Sequence, residues 1–213
     1  MTEFSEPFFV KVCGVTTIGD ANAAIEAGAN AIGLILAASP RQLSVERALA
    51  IAEATRGRTC RTLVFRDVAD DFVLDALEQI DAEAVQLHGV LSDELLRRLR
   101  ETTVVVIKAL SIGSDEFFDF REDGVDAVLI DGAAPGSGES HSWDQLSERT
   151  FSVPVIAAGG LDGSNVADVI AVTRVWGVDS ASGVESSPGV KDRAKLTYFI
   201  DSARRAFQER MPA

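Results

Sequence analysis

The chain has 213 residues, 46% of them hydrophobic and 25% charged, with a formal net charge of -13; this length and composition suit one globular domain over 1–213 with a sizeable core. Phosphate-binding clusters of Lys and Arg are missing, which argues against nucleic acid as a partner. No stretch approaches the ~20 apolar residues needed to cross a bilayer and no N-terminal segment reads as a signal, so a cytoplasmic protein away from membranes is expected.

Short β-branched or apolar runs alternate with longer amphipathic segments along the whole chain. The first run, "FFVKVCG" (8–14), ends on Cys13 and leads into a helix at 17–27. "AIGLIL" (31–36) is followed by "SPRQLS", which carries Arg41, and by a helix at 44–56. "RTLVF" (61–65) precedes a helix at 69–80, and "AVQLHG" (84–89) brings His88 ahead of a helix at 92–101. In that helix Ser92 stands at the N-cap, acids fill the first turn and arginines the last, as the helix dipole favours. "VVVIKAL" (104–110) precedes 114–122, and "AVLIDG" (127–132) ends on Asp131 before "PGSG" and a helix at 143–149. "VPVIAAGG" (153–160) precedes 164–173, and "VWGVDSASG" (175–183) precedes 189–208.

Eight strand–helix units at this spacing match a (β/α)8 barrel, with an open doubly wound sheet as the alternative. In a barrel the active site lies at the C-terminal strand ends, so position along each strand becomes a filter. Cys13, His88, Asp131, Gly159, Gly160 and the turn from Asp179 to Gly183 pass it, whereas Cys60 falls at the start of strand 3 and reads as structural. Strands 1 and 3 are two inter-strand spacings apart, roughly 9–10 Å, beyond the ~7 Å reach of a disulfide. Both cysteines should be free thiols, and neither has a companion at metal-ligand spacing. On position alone Cys13 is either a small buried hydrophobe or a reagent, and Asp131 either a turn residue or a proton donor.

The segments "KVCGVT", "GANAIGLIL", "SPRQLS", "VQLHG", "VIKAL", "LIDG" with "PGSG", "PVIAAGGL" and "GVDSASGVESSPGVKD" together resemble the phosphoribosylanthranilate isomerases of tryptophan biosynthesis. The resemblance covers nearly the whole chain and rests on the order and spacing of these motifs. It implies an Amadori rearrangement of N-(5'-phosphoribosyl)anthranilate to 1-(2-carboxyphenylamino)-1-deoxyribulose 5-phosphate, with no cofactor. By the same likeness Cys13 is the general base that takes the C2' proton, and Asp131 the general acid that protonates the furanose oxygen. Each needs a protonation state that its solution chemistry disfavours near neutral pH. Lys11, two residues before Cys13 on the same strand face, is a candidate positive charge for the thiolate.

A substrate of that kind carries a phosphate and a carboxylate. Backbone N–H groups at Gly159, Gly160 and Gly183, with the Ser182 hydroxyl, suit the phosphate, and Gly136, Ser137 and Gly138 offer a further amide nest. Arg41 suits the carboxylate through its planar fork. His88 is either a satisfied structural histidine or a substrate contact, and Asp179 either accepts a sugar hydroxyl or orders the last loop. The chain departs from the usual family pattern at "LAASPR", which is shorter and less aromatic; at "PGSGESHSW", where Pro135 lacks an N–H and Glu139 adds negative charge; and at Ala181, often Ser. Two rival readings are a Schiff-base aldolase using Lys108, if that lysine is desolvated within the barrel, and a phosphate-sugar binding barrel without turnover. No long exposed apolar stripe stands out, so a monomer is expected, with a homodimer open.

Overall fold

The eight strand candidates form one closed ring. The structure, a computed structural model, describes residues 6–132 and 143–210. Strands β1 (Phe9–Cys13), β2 (Ala31–Ile35), β3 (Cys60–Arg66), β4 (Ala84–His88), β5 (Val105–Ser111), β6 (Ala127–Asp131), β7 (Val155–Ala158) and β8 (Gly177–Ser180) pair in chain order, all parallel. The ring closes where β1 also pairs with β8, with Lys11 opposite Asp179. This is the (β/α)8 barrel, and the open doubly wound alternative falls because no edge strand is left unpaired.

The helices are α1 (Ile18–Ala27), α2 (Val45–Ala54), α3 (Asp70–Gln79), α4 (Asp93–Leu99), α5 (Asp115–Asp119), α6 (Val166–Val172) and α7 (Arg193–Arg210). Their starts follow from capping: Thr17, Ser44, Ser92 and Ser114 each accept a hydrogen bond from the backbone N–H three residues on, satisfying donors that have no partner inside the helix. Gly28 ends α1 with φ 97, the left-handed turn a β-carbon would oppose. Between β6 and β7 the expected helix at 143–149 is a 3-10 segment, Trp143–Glu148.

The last strand read from sequence, 175–183, is broken up. β8 stops at Ser180, a 3-10 turn (Ser182–Val184) follows, and a small antiparallel hairpin of β9 (Glu185–Ser187) and β10 (Val190–Lys191) precedes α7. The periodicity of "VESSPGVKD" is too short to separate a two-residue strand from a helix start.

Successive strand residues point to opposite faces. Val10, Val12, Leu63, Phe65, Val106 and Leu110 join the layer between barrel and helices, while Phe9, Ala31, Cys60, Ala84, Ile107 and Ala127 fill the barrel interior. Phe9 stacks on Trp176 at 4.9 Å between ring centres. Cys60 is buried in this interior layer at the N-terminal strand end, and both cysteines are free.

The alternation corrects one expectation outright. Lys108 lies between the interior residues Ile107 and Ala109, so it points out of the barrel. Its Nζ donates to the Ala109 carbonyl at 2.9 Å and pairs with Glu116 of α5 at 2.7 Å. A lysine held between sheet and helix by a carboxylate has no path to a carbonyl substrate in the barrel mouth, which removes the Schiff-base aldolase reading.

Candidate active site

A cavity of about 460 Å³ opens at the C-terminal ends of the strands, within the usual range for small-molecule sites. Cys13 from β1, His88 from β4 and Asp131 from β6 line it together, as do Arg41, Gly159, Gly160, Asp179 and Ser182. Gly183 does not; a β-carbon there would stand 2.0 Å from the Leu161 carbonyl, so its missing side chain serves the close approach of the last 3-10 turn to the loop after β7. Gly136, Ser137 and Gly138, with Pro135 and Glu139, lie outside the described residues. A smaller cavity beside Leu99, Val105 and Asp126 sits at the opposite, N-terminal end of the strands and has no part in this chemistry.

The base of the site is a stacked set of charges. Lys11, completely buried beneath Cys13 on the inner face of β1, pairs with Asp179 at 2.9 Å. Burial is the largest influence and would depress the lysine, but Asp179 and Cys13 together offset it and hold the ammonium above its ordinary value. Asp179 Oδ1 is buried and finds no hydrogen-bond partner among the described residues, which leaves an acceptor at the cavity wall.

Cys13 is also shaped by Lys191, on β10. Its Nζ donates to the carbonyls of Cys13 (2.7 Å) and Ala181 (3.0 Å) and pairs with Glu185 at 2.9 Å, tying the hairpin to the ends of β1 and β8. Burial of the thiol is nevertheless the largest influence and pushes it up; Lys11 and Lys191 pull it down, Asp179 pushes it up, and the net shift is upward. In the free protein Cys13 is therefore a protonated thiol, opposite to what Lys11 alone was expected to produce.

Two glycines that were not read as site residues make room for this arrangement. A β-carbon at Gly33, on β2, would stand 2.6 Å from Cys13 Sγ and 3.0 Å from Cys13 Cα. Gly33→Ala should therefore displace the thiol by a sizeable fraction of an ångström: kcat is expected to fall roughly 100-fold with little change in KM, as misplacement of a reacting group does, alongside about 1–3 kcal/mol of overpacking. Steady-state kinetics and urea unfolding of the variant check both. Gly14, with φ 70, passes so close to Arg41 that a β-carbon would meet its Cδ at 2.3 Å, so it lets that side chain lie across the end of β1.

Arg41 reaches the cavity, but its fork is already occupied: Nε and Nη2 donate to the two Glu185 oxygens at 2.7 and 2.6 Å. Glu185 lies between Arg41 and Lys191. Burial would push its carboxyl up, and hydrogen bonds from Arg41 and Lys191 bring it below the ordinary range. Arg41 is thus a half-buried, paired side chain at the cavity edge.

His88 sits between two partners. Arg66 Nη2 lies 3.2 Å from Nδ1, and the Gln86 amide lies 2.8 Å from Nε2. Burial, then the positive charges of Arg66, Lys11 and Lys108, depress the imidazole to about 3, so it is neutral through the physiological range. The imidazole resonances of His88 should stay fixed in NMR spectra between pH 5 and 8; a transition near 6.5 would contradict the geometry. The sign for stability follows. Below pH 6.5 the unfolded chain takes up a proton that the folded one refuses until about pH 3, so this group lowers stability as pH falls through that window, by at most about 1.4 kcal/mol per pH unit.

Residues 10–202 match the family model described as N-(5'phosphoribosyl)anthranilate (PRA) isomerase. The chain belongs to the N-(5'-phosphoribosyl)anthranilate isomerase family. It is 38% identical over 203 residues to the isomerase of Cellvibrio japonicus, covering 92% of this chain and 94% of that one. To the isomerase of Myxococcus xanthus it is 40% identical over 205 residues, covering 92% and 95%. The crystal structure of phosphoribosyl anthranilate isomerase from Thermotoga maritima matches with a TM-score of 0.84 and 33% identity over 93% of this chain and 99% of that one. A further family structure, in complex with reduced 1-(o-carboxyphenylamino)-1-deoxyribulose 5-phosphate, matches with a TM-score of 0.81 and 32% identity over 93% and 99%.

Against the other members' shared fold, the features of this isomerase chain that sequence reading missed have identifiable signals. Arg66 was passed over because strand 3 was ended at Phe65, one residue short of the inward-facing position that lines the cavity. Gln86 was visible, since it precedes His88 by two and so shares its face. Glu185 and Lys191 sit in the quoted "GVESSPGVKD", but only the folded hairpin brings them under Arg41 and Cys13. Among the described residues no helix is long and apolar enough to cross a membrane, and no group of three His, Cys, Asp or Glu side chains is placed to hold a metal.

Proposed function

We propose that the protein is a phosphoribosylanthranilate isomerase of tryptophan biosynthesis, an aldose–ketose isomerase working by general acid–base catalysis with Cys13 as base and Asp131 as acid. The observation that carries this is the convergence of Cys13 and Asp131, from β1 and β6 on different sides of the barrel, on one cavity in a chain of this family.

The cavity has two unlike ends. Gly159, Gly160 and Ser182, at the ends of β7 and β8, supply close backbone approach and a hydroxyl and suit the phosphate. Ile35, Ala38 and Val64, at the ends of β2 and β3, form an apolar wall and suit the aromatic ring. Short alanines at this wall leave it open, in keeping with the reduced "LAASPR" loop. Between these ends the ribose lies over Cys13, Asp131 and the unpartnered oxygen of Asp179, which accepts a sugar hydroxyl.

The chemistry then runs in two steps. Asp131 gives its proton to the furanose oxygen as the C1'–O bond breaks, and the anthranilate nitrogen becomes a cationic Schiff base. That cation acidifies C2' and lies close to the Cys13 thiol; with Lys11 and Lys191 it opposes the burial that keeps the free thiol protonated. The Cys13 thiol gives its proton to solvent once the cation forms, and the thiolate takes the C2' proton as the electron pair forms the enolamine; return of that proton to C1' and passage of the C2' hydroxyl proton to Asp131 deliver the aminoketose. Substrate and product are isomers that differ by the opened C1'–O bond and by the placement of hydrogen and double bonds, so the steps balance without a cofactor.

Mixing purified protein with freshly generated phosphoribosylanthranilate and following the loss of its anthranilate fluorescence tests the reading. Turnover supports it, and saturable binding without turnover favours the non-catalytic phosphate-sugar barrel. The substrate is a small anionic molecule, consistent with a strongly acidic chain that offers neutral phosphate donors. The exposed aromatics Phe72, Phe118 and Tyr198 stand on three different helices, α3, α5 and α7, which is in keeping with a monomer.

A further inference from the structure

We propose that Lys191, carried over the β1–β8 seam by the hairpin after β8, is a positioning residue for the proton transfer at Cys13: it fixes the strand end that bears the thiol and, with Arg41 and Glu185, sets one uncompensated positive charge against it. The proposal deepens the reading of Cys13 as the base and rests on it.

The clamp is visible in the donors and acceptors. Lys191 Nζ has three acceptors, the Cys13 carbonyl at 2.7 Å, the Ala181 carbonyl at 3.0 Å and Glu185 Oε1 at 2.9 Å. An ammonium has three N–H donors and a neutral amine two, so this set selects the charged form, even though burial draws the lysine below its ordinary value against the pull of Glu185. The side chain has no exposed surface. Its place is specific: the last partners of the β1–β8 ladder are Val12 and Ser180, and the ammonium bridges the carbonyls of the next residue on each side. The hairpin is itself tied down, since the Thr16 hydroxyl donates to the Gly189 carbonyl at 2.5 Å and the Asp192 N–H to the Val184 carbonyl at 2.9 Å.

Charge balance decides which cation matters to the thiol. Lys11 is nearest in the chain, but Asp179 pairs with it at 2.9 Å and the pair carries no net charge; accordingly Lys11 pulls the thiol down while Asp179 pushes it up. At the hairpin two cations share one carboxylate, because Arg41 Nε and Nη2 and Lys191 Nζ all reach Glu185. One positive charge is left over there. The other neighbours do not cancel it: His88 is neutral, Asp131 holds the proton it gives in the mechanism above, and Asp192 turns its carboxylate to the first N–H groups of α7. Lys195 and Arg66 are exposed, and water screens them. A thiolate at Cys13 is therefore stabilised by the surplus at the hairpin, and that surplus exists only when the hairpin is folded over the seam.

The test is the pH dependence of Cys13 alkylation by iodoacetamide, read by mass spectrometry of the peptides that carry Cys13 and Cys60. Cys60 has no exposed surface, so its rate reports loss of structure in each protein. Lys191→Met and Lys191→Gln remove the surplus charge and should move the Cys13 midpoint up by about one pH unit or more, whereas Glu185→Gln adds to the surplus and should move it down by a similar amount. A cluster that only supports the fold would shift every variant the same way, in step with the Cys60 rate. In Lys191→Met, kcat for phosphoribosylanthranilate should fall about 100-fold, the dissociation constant of the reduced aminoketose phosphate should stay within about threefold, and the deuterium isotope effect at C2' should rise as proton removal slows. Midpoints that agree within about 0.3 pH unit across the folded variants overturn the proposal, and so do shifts of one sign in all of them. If none of the variants folds, the cluster is a structural support and the proposal falls. Failure of the isomerase reading is separable: if the midpoints move as stated but the wild type never consumes phosphoribosylanthranilate, the charge assignment stands and turnover does not.

Discussion

Cys13→Ser and Asp131→Asn should each lower kcat/KM for phosphoribosylanthranilate by about 1,000-fold or more while leaving the fold intact. Removing a positioned acid or base typically removes 10²–10⁴ of rate, and the proposed mechanism gives each of the two one proton transfer. Serine keeps the size of the thiol's neighbourhood but is a far weaker acid, so it cannot act as the anionic base; asparagine keeps the hydrogen-bonding outline of Asp131 without a transferable proton. Both residues line the cavity, and Gly33 and the Lys191 bond to the Cys13 carbonyl hold the thiol where it stands. The double variant should lose little more than the worse single one, because either deletion already stops the sequence of proton transfers. Continuous fluorescence assays with circular dichroism as the fold control measure this. Either single variant retaining more than a tenth of wild-type activity would remove that residue from its assigned role.

The second large effect concerns stability. Lys11→Met should destabilise the protein by about 3–5 kcal/mol, the range seen when one member of a buried ion pair is deleted and the other charge stays behind. Lys11 has no exposed surface, Asp179 is buried, and they meet at 2.9 Å inside the barrel. With the ammonium gone, the Asp179 carboxyl is left buried without its partner, which lowers the stability of the folded state. For a chain of this size the drop corresponds to a fall in Tm of about 6–20 °C. Lys11→Met combined with Asp179→Leu should recover most of it, since a buried pair and its apolar replacement are often close in free energy. Urea unfolding of the three proteins decides it, and a loss below 1 kcal/mol in the single variant would show that water reaches this pair.

The barrel was legible because its signals are local and repeated. Most units carry an apolar run of strand length and an amphipathic helix; the cap expected at Ser92 is found, and Thr17, Ser44 and Ser114 cap helices at the positions where the pattern starts them. Position on a strand then separated Cys13 from Cys60 with no other information, because a parallel strand followed by a helix always directs its C-terminal end to the same mouth. The ends of β8 and the hairpin after it were misread where single residues, not periodic runs, decide the path, and the condition set for Lys108, a place within the barrel, fails because alternation turns it outward.

Which residue types stand at the strand ends was thus settled by the sequence itself, through alternation and helix capping, which act over two to four neighbouring positions. Which of them touch was settled only by closure of the ring. Lys11 and Asp179 are 168 residues apart, as Arg41 and Glu185 are 144, and they meet because β1 pairs with β8 and the hairpin folds over that seam. The protonated state of Cys13 and the engaged fork of Arg41 both come from such long-range contacts, because desolvation and ion pairing depend on what three-dimensional packing brings within a few ångströms of a charge.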